Sequence, residues 1–266
     1  MAQNMNLKET YSNIIDAKLR AESIFAGLFN RRHEGDPTAG AVKIPVRAEA
    51  TVGDYDIAEG GDLANPVTTY EILVIDQDKY VNELIDGFVA AAVPDDLVAD
   101  RLDSAGYAMA DNIDVSLANL LVANGTKFTA SKKADTVYGT ITEAIQTAKK
   151  LKVKPKEMWL SVSNDYALEV INDPHFIAAS NLGDDIKMNG LLGKIDGVAV
   201  YESANLTADF VLGNNQYCHY VEAWAVPVTV NDLADGKHIG ASAVQGRKVT
   251  GYKITKPATV LVKQSA

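Results

Sequence analysis

Residues 95–123 read DDLVADRLDSAGYAMADNIDVSLANLLVA, and their reading decides the fold. Val98, Leu102, Ala105, Met109, Ile113, Leu117, Leu120 and Leu121 recur at three- and four-residue spacing, which places them on one face of a helix. Pro94 precedes the run, Asp95 and Asp96 suit a positive helix N-terminus, and Asn124-Gly125 supplies the stop. At 1.5 Å per residue a helix of this length spans roughly 43 Å. Such a rod with a single apolar stripe predicts a spine on which other elements lie.

Upstream of the spine the sequence predicts two extended segments. Val42, Ile44 and Val46 alternate with Lys43 and Arg47, and Pro45 favours a sheet edge because proline cannot donate to a ladder. The second segment runs from about Pro66 to Tyr80 around Tyr70-Glu-Ile-Leu-Val-Ile75. Between them, Gly53 to Asn65 forms a polar tip rich in acids. Together they read as a long hairpin that needs support from another surface. Residues 1–41 read as an arm: Ile14, Ile15, Leu19, Ile24, Phe25, Leu28 and Phe29 are too few for a core and must lie against something else.

Downstream, α and β patterns mix. Thr140-Ile-Thr-Glu143 predicts a capping box, with Ile141, Ala144, Ile145, Ala148 and Leu151 on one face. Met158-Trp-Leu-Ser-Val162 predicts a buried strand, followed by a Ser163-capped helix over 164–172 that Pro174 closes. Further strands are predicted at 198–201, 209–213, 217–230 and, as one long terminal strand, 247–263.

The 266 residues, 47% apolar and 23% charged, suit a globular chain large enough to fold without a metal or disulfide staple. Cys218 is the single cysteine, which rules out an intramolecular disulfide framework. The longest apolar run, Phe88 to Val93, is far short of the ~20 residues a membrane span requires. The start carries no signal pattern, so a soluble chain in a reducing compartment is expected. The net charge of −10 makes a free nucleic-acid binder a poor fit. Its distribution is uneven: −14 over 48–126 and +6 over 236–266, blocks able to meet between subunits.

Catalytic chemistry is not legible. His33, His175, His219 and His238 lack metal-ligand spacing, and Cys218 and His219 point to opposite faces of a strand. Asp54, Asp56, Glu59 and Asp62 resemble a calcium loop, but Ala58 and Glu59 stand in the wrong places for one. The expectation is a non-enzyme with no cofactor and no metal.

The order of arm, hairpin, spine, mixed region and terminal strand resembles the major capsid proteins of tailed bacteriophages, the Hong Kong 97-type fold. The likeness is carried by Val42-Lys-Ile-Pro-Val-Arg47, Gly53-Asp-Tyr-Asp56 with Glu59-Gly-Gly-Asp62, and Val170-Ile-Asn-Asp-Pro174. It is carried also by Gly193-Lys-Ile-Asp-Gly-Val-Ala-Val-Tyr-Glu-Ser203 and the ending Arg247 to Val262. It covers about residues 30–266.

The resemblance implies an α+β capsid fold: an N-terminal arm (1–41), an extended loop (42–80), a peripheral domain with the spine helix (81–136), an axial domain (137–222) and peripheral return strands (223–266). It implies self-assembly into hexamers and pentamers of an icosahedral virion shell, formed in the host bacterial cytoplasm and enclosing double-stranded DNA without sequence-specific binding or any membrane. Portal, scaffolding and decoration proteins are the family's further partner classes. Inter-subunit contacts are expected at Phe25, Phe29, Arg31, Arg32, Ile44 and Val46. The acidic tip (Asp54, Asp56, Glu59, Asp62) is expected to meet basic groups of another subunit, with Arg247, Lys248, Lys253 and Arg31/Arg32 as candidates. Some family members weld subunits through an extended-loop lysine; residues 48–78 hold eight acids and no lysine, so a non-covalent shell is expected. The runner-up is an encapsulin-type nanocompartment enclosing cargo enzymes, from which the proline- and charge-broken arm differs. A soluble enzyme with a scattered site is the third reading.

Overall fold

In the computed structural model, residues 23–32, 40–47, 50–58, 60–63, 65, 67–88, 97–131, 136–173, 191–233 and 237–264 are described. Chain order is α1 (Phe25–Leu28), β1 (Ala41–Arg47), β2 (Thr68–Val74), β3 (Gln77–Asp86), α2 (Leu97–Asn124), β4 (Thr126–Lys127), α3 (Val137–Lys150), β5 (Met158–Val162), α4 (Asn164–Asn172), β6 (Leu191–Ile195), β7 (Val198–Glu202), β8 (Phe210–Asn214), β9 (Cys218–Asp232), β10 (Ala241–Ile254) and β11 (Leu261–Lys263). They form an antiparallel pair β1-β2, a three-stranded sheet β3-β10-β9 and a six-stranded sheet β4-β11-β8-β5-β7-β6.

The spine, α2, joins the two larger sheets. Near its start, Val98, Leu102 and Ala105 pack on Val81, Ile85, Val228, Val230 and Val244 of the three-stranded sheet. Toward its end, Ile113, Leu117 and Leu121 pack with Trp159, Val211 and Val262 of the six-stranded sheet. The stripe thus has two successive partners. The expected start at Pro94–Asp96 lies outside the described residues.

The six-stranded sheet is covered on both faces, which is why β5 is buried at every position. Met158, Leu160, Val162, Phe210, Leu212 and Leu261 face α3 and α4. The alternate residues Trp159, Val211 and Val262 face α2 and α1. A strand covered on both sides reads as a continuous apolar run. Ser163 caps α4 as expected, its hydroxyl accepting from the Tyr166 amide.

Three expectations are corrected. Helix α3 starts a turn earlier than the Thr140 capping box: Thr136 Oγ1 accepts from the Gly139 amide, and Asp173 Oδ2 accepts from that of Tyr138. Thr140 lies inside the helix, donating back to the Thr136 carbonyl at 3.0 Å. The long terminal strand is broken: β10 ends at Ile254, Pro257 opens a 3-10 turn, and β11 pairs with β8 and β4. Residues 261–263 therefore belong to the six-stranded sheet, while β9 and β10 form the three-stranded one with β3. The hairpin's second arm stops at Val74, and after Ile75 and Asp76 the chain enters β3 and the three-stranded sheet. Gly251 makes that junction possible, since a Cβ there would fall 2.5 Å from the Val74 carbonyl oxygen.

Candidate inter-subunit surfaces

The β1-β2 hairpin has two unequal faces, set by its register. Ile44 pairs with Glu71, and Val42 with Leu73; this face turns inward, where Ile44 and Leu73 are buried with Val221. The other face carries Tyr70 opposite Pro45, Ile72 opposite Lys43 and Val74 opposite Ala41. Tyr70, Ile72 and Val74 are about half exposed or more. Contiguous apolar surface of this kind marks an interaction face. Ile44, expected between subunits, is instead part of the chain's own core, and Val46, on the same face, is half-buried. In β2 alternation alone could not say which parity turned inward, because Tyr70, Ile72 and Val74 on one and Leu73 on the other are all apolar.

The hairpin tip is a preformed knob. The Gly60 amide donates to the Asp56 carbonyl at 2.8 Å, the Ala58 amide donates to Asp56 Oδ1, and Gly60 takes the left-handed conformation (φ 81°) that the turn requires. At its apex Tyr55 and Ile57 are exposed, flanked by exposed Asp54, Asp56 and Asp62. Glu59 lies outside the described residues.

The arm segment is inserted into its own chain, a second correction to the expected contacts. Phe25 and Phe29 are 0% and 4% exposed, with ring centroids 6.1 and 6.3 Å from Trp159. The Asn30 amide donates to the Cys218 carbonyl, and the Tyr220 amide donates to that of Asn30, adding the arm to the edge of β9. Asp114 of α2, fully buried, holds the arm's entry. Its Oδ1 accepts from the Phe25 amide at 2.7 Å and Ser23 Oγ at 3.1 Å, and Oδ2 accepts from Asn205 Nδ2 at 3.2 Å. Burial pushes the Asp114 carboxyl above the usual carboxylate range, against the pull of these hydrogen bonds.

Three of the six basic residues of the terminal segment are also used within the chain. Arg247 forms a forked pair with Asp78, Lys253 reaches Glu71 at 2.6 Å and the Ile72 carbonyl at 2.9 Å, and Lys248 reaches Glu222 at 3.5 Å. Arg247 holds the Asp78 carboxyl below its ordinary range. Arg247, Lys248 and Lys253 thus each have an acidic partner within the chain, and Lys253 ties the hairpin base to β10. The guanidinium of Arg247 also lies 5.4 Å from the centroid of the Trp224 ring, on a sheet face where Tyr80, Leu84 and Trp224 are exposed.

Arg31 and Arg32 are exposed at a cleft of about 640 Å³ between residues 27–32 and the six-stranded sheet. Leu28, Met158, Trp159 and Tyr201 supply its apolar lining, and Lys156 and Glu157 complete its charged rim. Sequence reasoning missed Lys156, which lies far from the arginines along the chain, and Asp114, whose place within an apolar stripe was the available signal. Among the described residues no group of three or more His, Cys, Asp and Glu could hold a metal ion.

No family model matches the chain, and no curated relative does. Solved structures do. A chain of Mycobacterium phage Che8 is 26% identical, with a TM-score of 0.78 over 98% of both chains. The capsid structure of the cyanophage P-SCSP1u matches with a TM-score of 0.74 at 13% identity, over 98% of this chain and 93% of that one. The mature capsid of bacteriophage PhiM1 matches at 0.70 and 14% identity, over 97% and 91%. The chain has the fold of these phage subunits over nearly its full length.

Proposed function

We propose that this chain is the major capsid protein of a tailed bacteriophage, of the Hong Kong 97-type fold, and that copies of it build the virion head shell. It is a structural protein and not an enzyme. The observation that carries this reading is the alignment with the Che8 chain over 98% of both chains at 26% identity. The chain's own surfaces support it: the hairpin exposes Tyr70, Ile72 and Val74 on one face and Tyr55 and Ile57 at its tip. A monomer gains nothing from exposing these groups, whereas a shell repeats each contact many times.

In this reading the three-stranded sheet and the first half of α2 form the peripheral domain, and the six-stranded sheet with α3 and α4 forms the axial domain. The hairpin is the extended loop and crosses to a neighbouring subunit. Copies group as hexamers and pentamers and enclose double-stranded DNA through shape and charge balance rather than sequence contacts.

Expression of the chain followed by sedimentation and negative-stain imaging tests this directly. Closed shells of uniform diameter are expected. Protein that stays monomeric at high concentration and shows no shells or capsomers would remove the reading.

A further inference from the structure

We infer that the cleft beside Arg31 and Arg32 is the seat of the acidic hairpin tip of a second copy of this chain. The inference rests on the proposed shell, and it names which surface of one copy receives which part of another.

The charges of the terminal segment narrow the choice. Arg247, Lys248 and Lys253 are paired with Asp78, Glu222 and Glu71 of their own chain. The cleft offers a different cationic pair, Arg32 and Lys156, against the single acid Glu157, while neighbouring Arg31 lies over the Tyr220 ring at 5.4 Å. All three cations are exposed, and among the described residues Arg32 and Lys156 have no ion-pair partner for their side chains. Between them, half-buried Leu28 and Tyr201 supply apolar surface and Asn30, Asn215 and Gln216 supply polar surface.

The tip presents the complementary pattern. Ile57 stands 97% exposed at the apex and Tyr55 is 76% exposed beside it, with Asp54, Asp56 and Asp62 around them. No lysine or arginine occurs between residues 48 and 78 to offset those acids. The acidic collar of the tip matches the exposed cations Arg32 and Lys156 at the cleft, and the exposed Ile57 and Tyr55 supply apolar surface to meet half-buried Leu28 and Tyr201. The knob is held by the Asp56–Gly60 bridge before it binds, so little ordering cost accompanies docking. The cleft's volume of about 640 Å³ falls within the range of about 300–1,000 Å³ typical of binding pockets, enough for a turn but not a domain.

The test is charge reversal with rescue. Arg32→Glu with Lys156→Glu, and separately Asp54→Lys with Asp62→Lys, are made at exposed positions. Each pair should lower shell yield at low salt by at least about tenfold, because attraction becomes repulsion at every copy of the contact. A chain carrying all four changes should recover most of it. Wild-type yield in either pair, or no recovery in the fourfold variant, overturns the inference. A second measurement does not depend on yield: Ile57→Cys with Gln216→Cys, oxidised after assembly. A ladder of linked chains on a non-reducing gel supports a second copy as the occupant. An intramolecular link, or no link in well-formed shells, means that the chain's own tip or another segment fills the cleft, and overturns it. If the unaltered chain forms no shells, the proposed function fails first.

Discussion

Replacing Asp114 tests how the arm is fixed to the body. In Asp114→Ala the Phe25 amide loses an acceptor at 2.7 Å while Phe25 stays in a fully buried setting. One stranded buried donor costs about 1–3 kcal/mol. The other donors lose less: Ser23 is exposed and rehydrates, and Asn205 Nδ2 keeps Asp111 Oδ1 at 2.9 Å. A total of about 2–3 kcal/mol follows, and at roughly 2–4 °C per kcal/mol for a chain of this size Tm should fall by about 5–10 °C. Asp114→Asn keeps an oxygen for the Phe25 amide and removes the cost of burying a charge, so a loss of about 1 kcal/mol is expected.

The two variants also separate by pH. The folded carboxyl holds its proton more tightly than the unfolded one, so its contribution to stability is greatest below the ordinary range near ~3.9 and falls as pH rises through the folded pKa. Asp114→Asn should remove that slope. Thermal unfolding followed through Trp159 fluorescence, with hydrogen exchange at residues 24–30, reads all three effects. Unchanged Tm and unchanged protection in Asp114→Ala would refute the clamp, as would an Asn variant as unstable as the Ala variant.

Gly251→Ala places a Cβ 2.5 Å from the Val74 carbonyl oxygen and 2.9 Å from Leu73 Cδ2. Overpacking of about 1–3 kcal/mol at the hairpin base should speed proteolysis between residues 50 and 65. Deleting residues 1–22 should leave the body folded and impair shell closure. Deleting residues 1–36 also removes buried Phe25 and Phe29, each worth about 3–5 kcal/mol, and should abolish soluble folded protein, as circular dichroism would register. Cys218, fully buried with its thiol pushed up to about 12, should resist thiol reagents until the chain unfolds; rapid labelling of native protein would contradict its placement. Particles boiled with detergent and reductant should run as one band near 28.5 kDa, since the lysines bordering the hairpin, Lys43 and Lys79, lie on strands and none lies in its tip. A ladder would reveal a crosslink.

What the sequence determined by itself was local. The stripe of α2, the largely apolar run of β5 and the Ser163 cap each follow from neighbours a few residues apart, so periodicity and capping chemistry suffice. Their order along the chain carried the resemblance to capsid proteins. What only the tertiary structure decided was which partner each exposed-looking group takes. Phe25 and Phe29 have helical spacing whether they meet a neighbour or Trp159 of their own chain. Arg247 could pair with any of many acids, and it pairs with Asp78, 169 residues away, because β10 lies beside β3. The hairpin's alternation fixes that its faces differ but not which one turns inward; the close approach at Gly251 and the Val221 contact choose Leu73 and Ile44. Partner choice across long stretches of chain depends on the three-dimensional packing of elements whose separate patterns are silent about it.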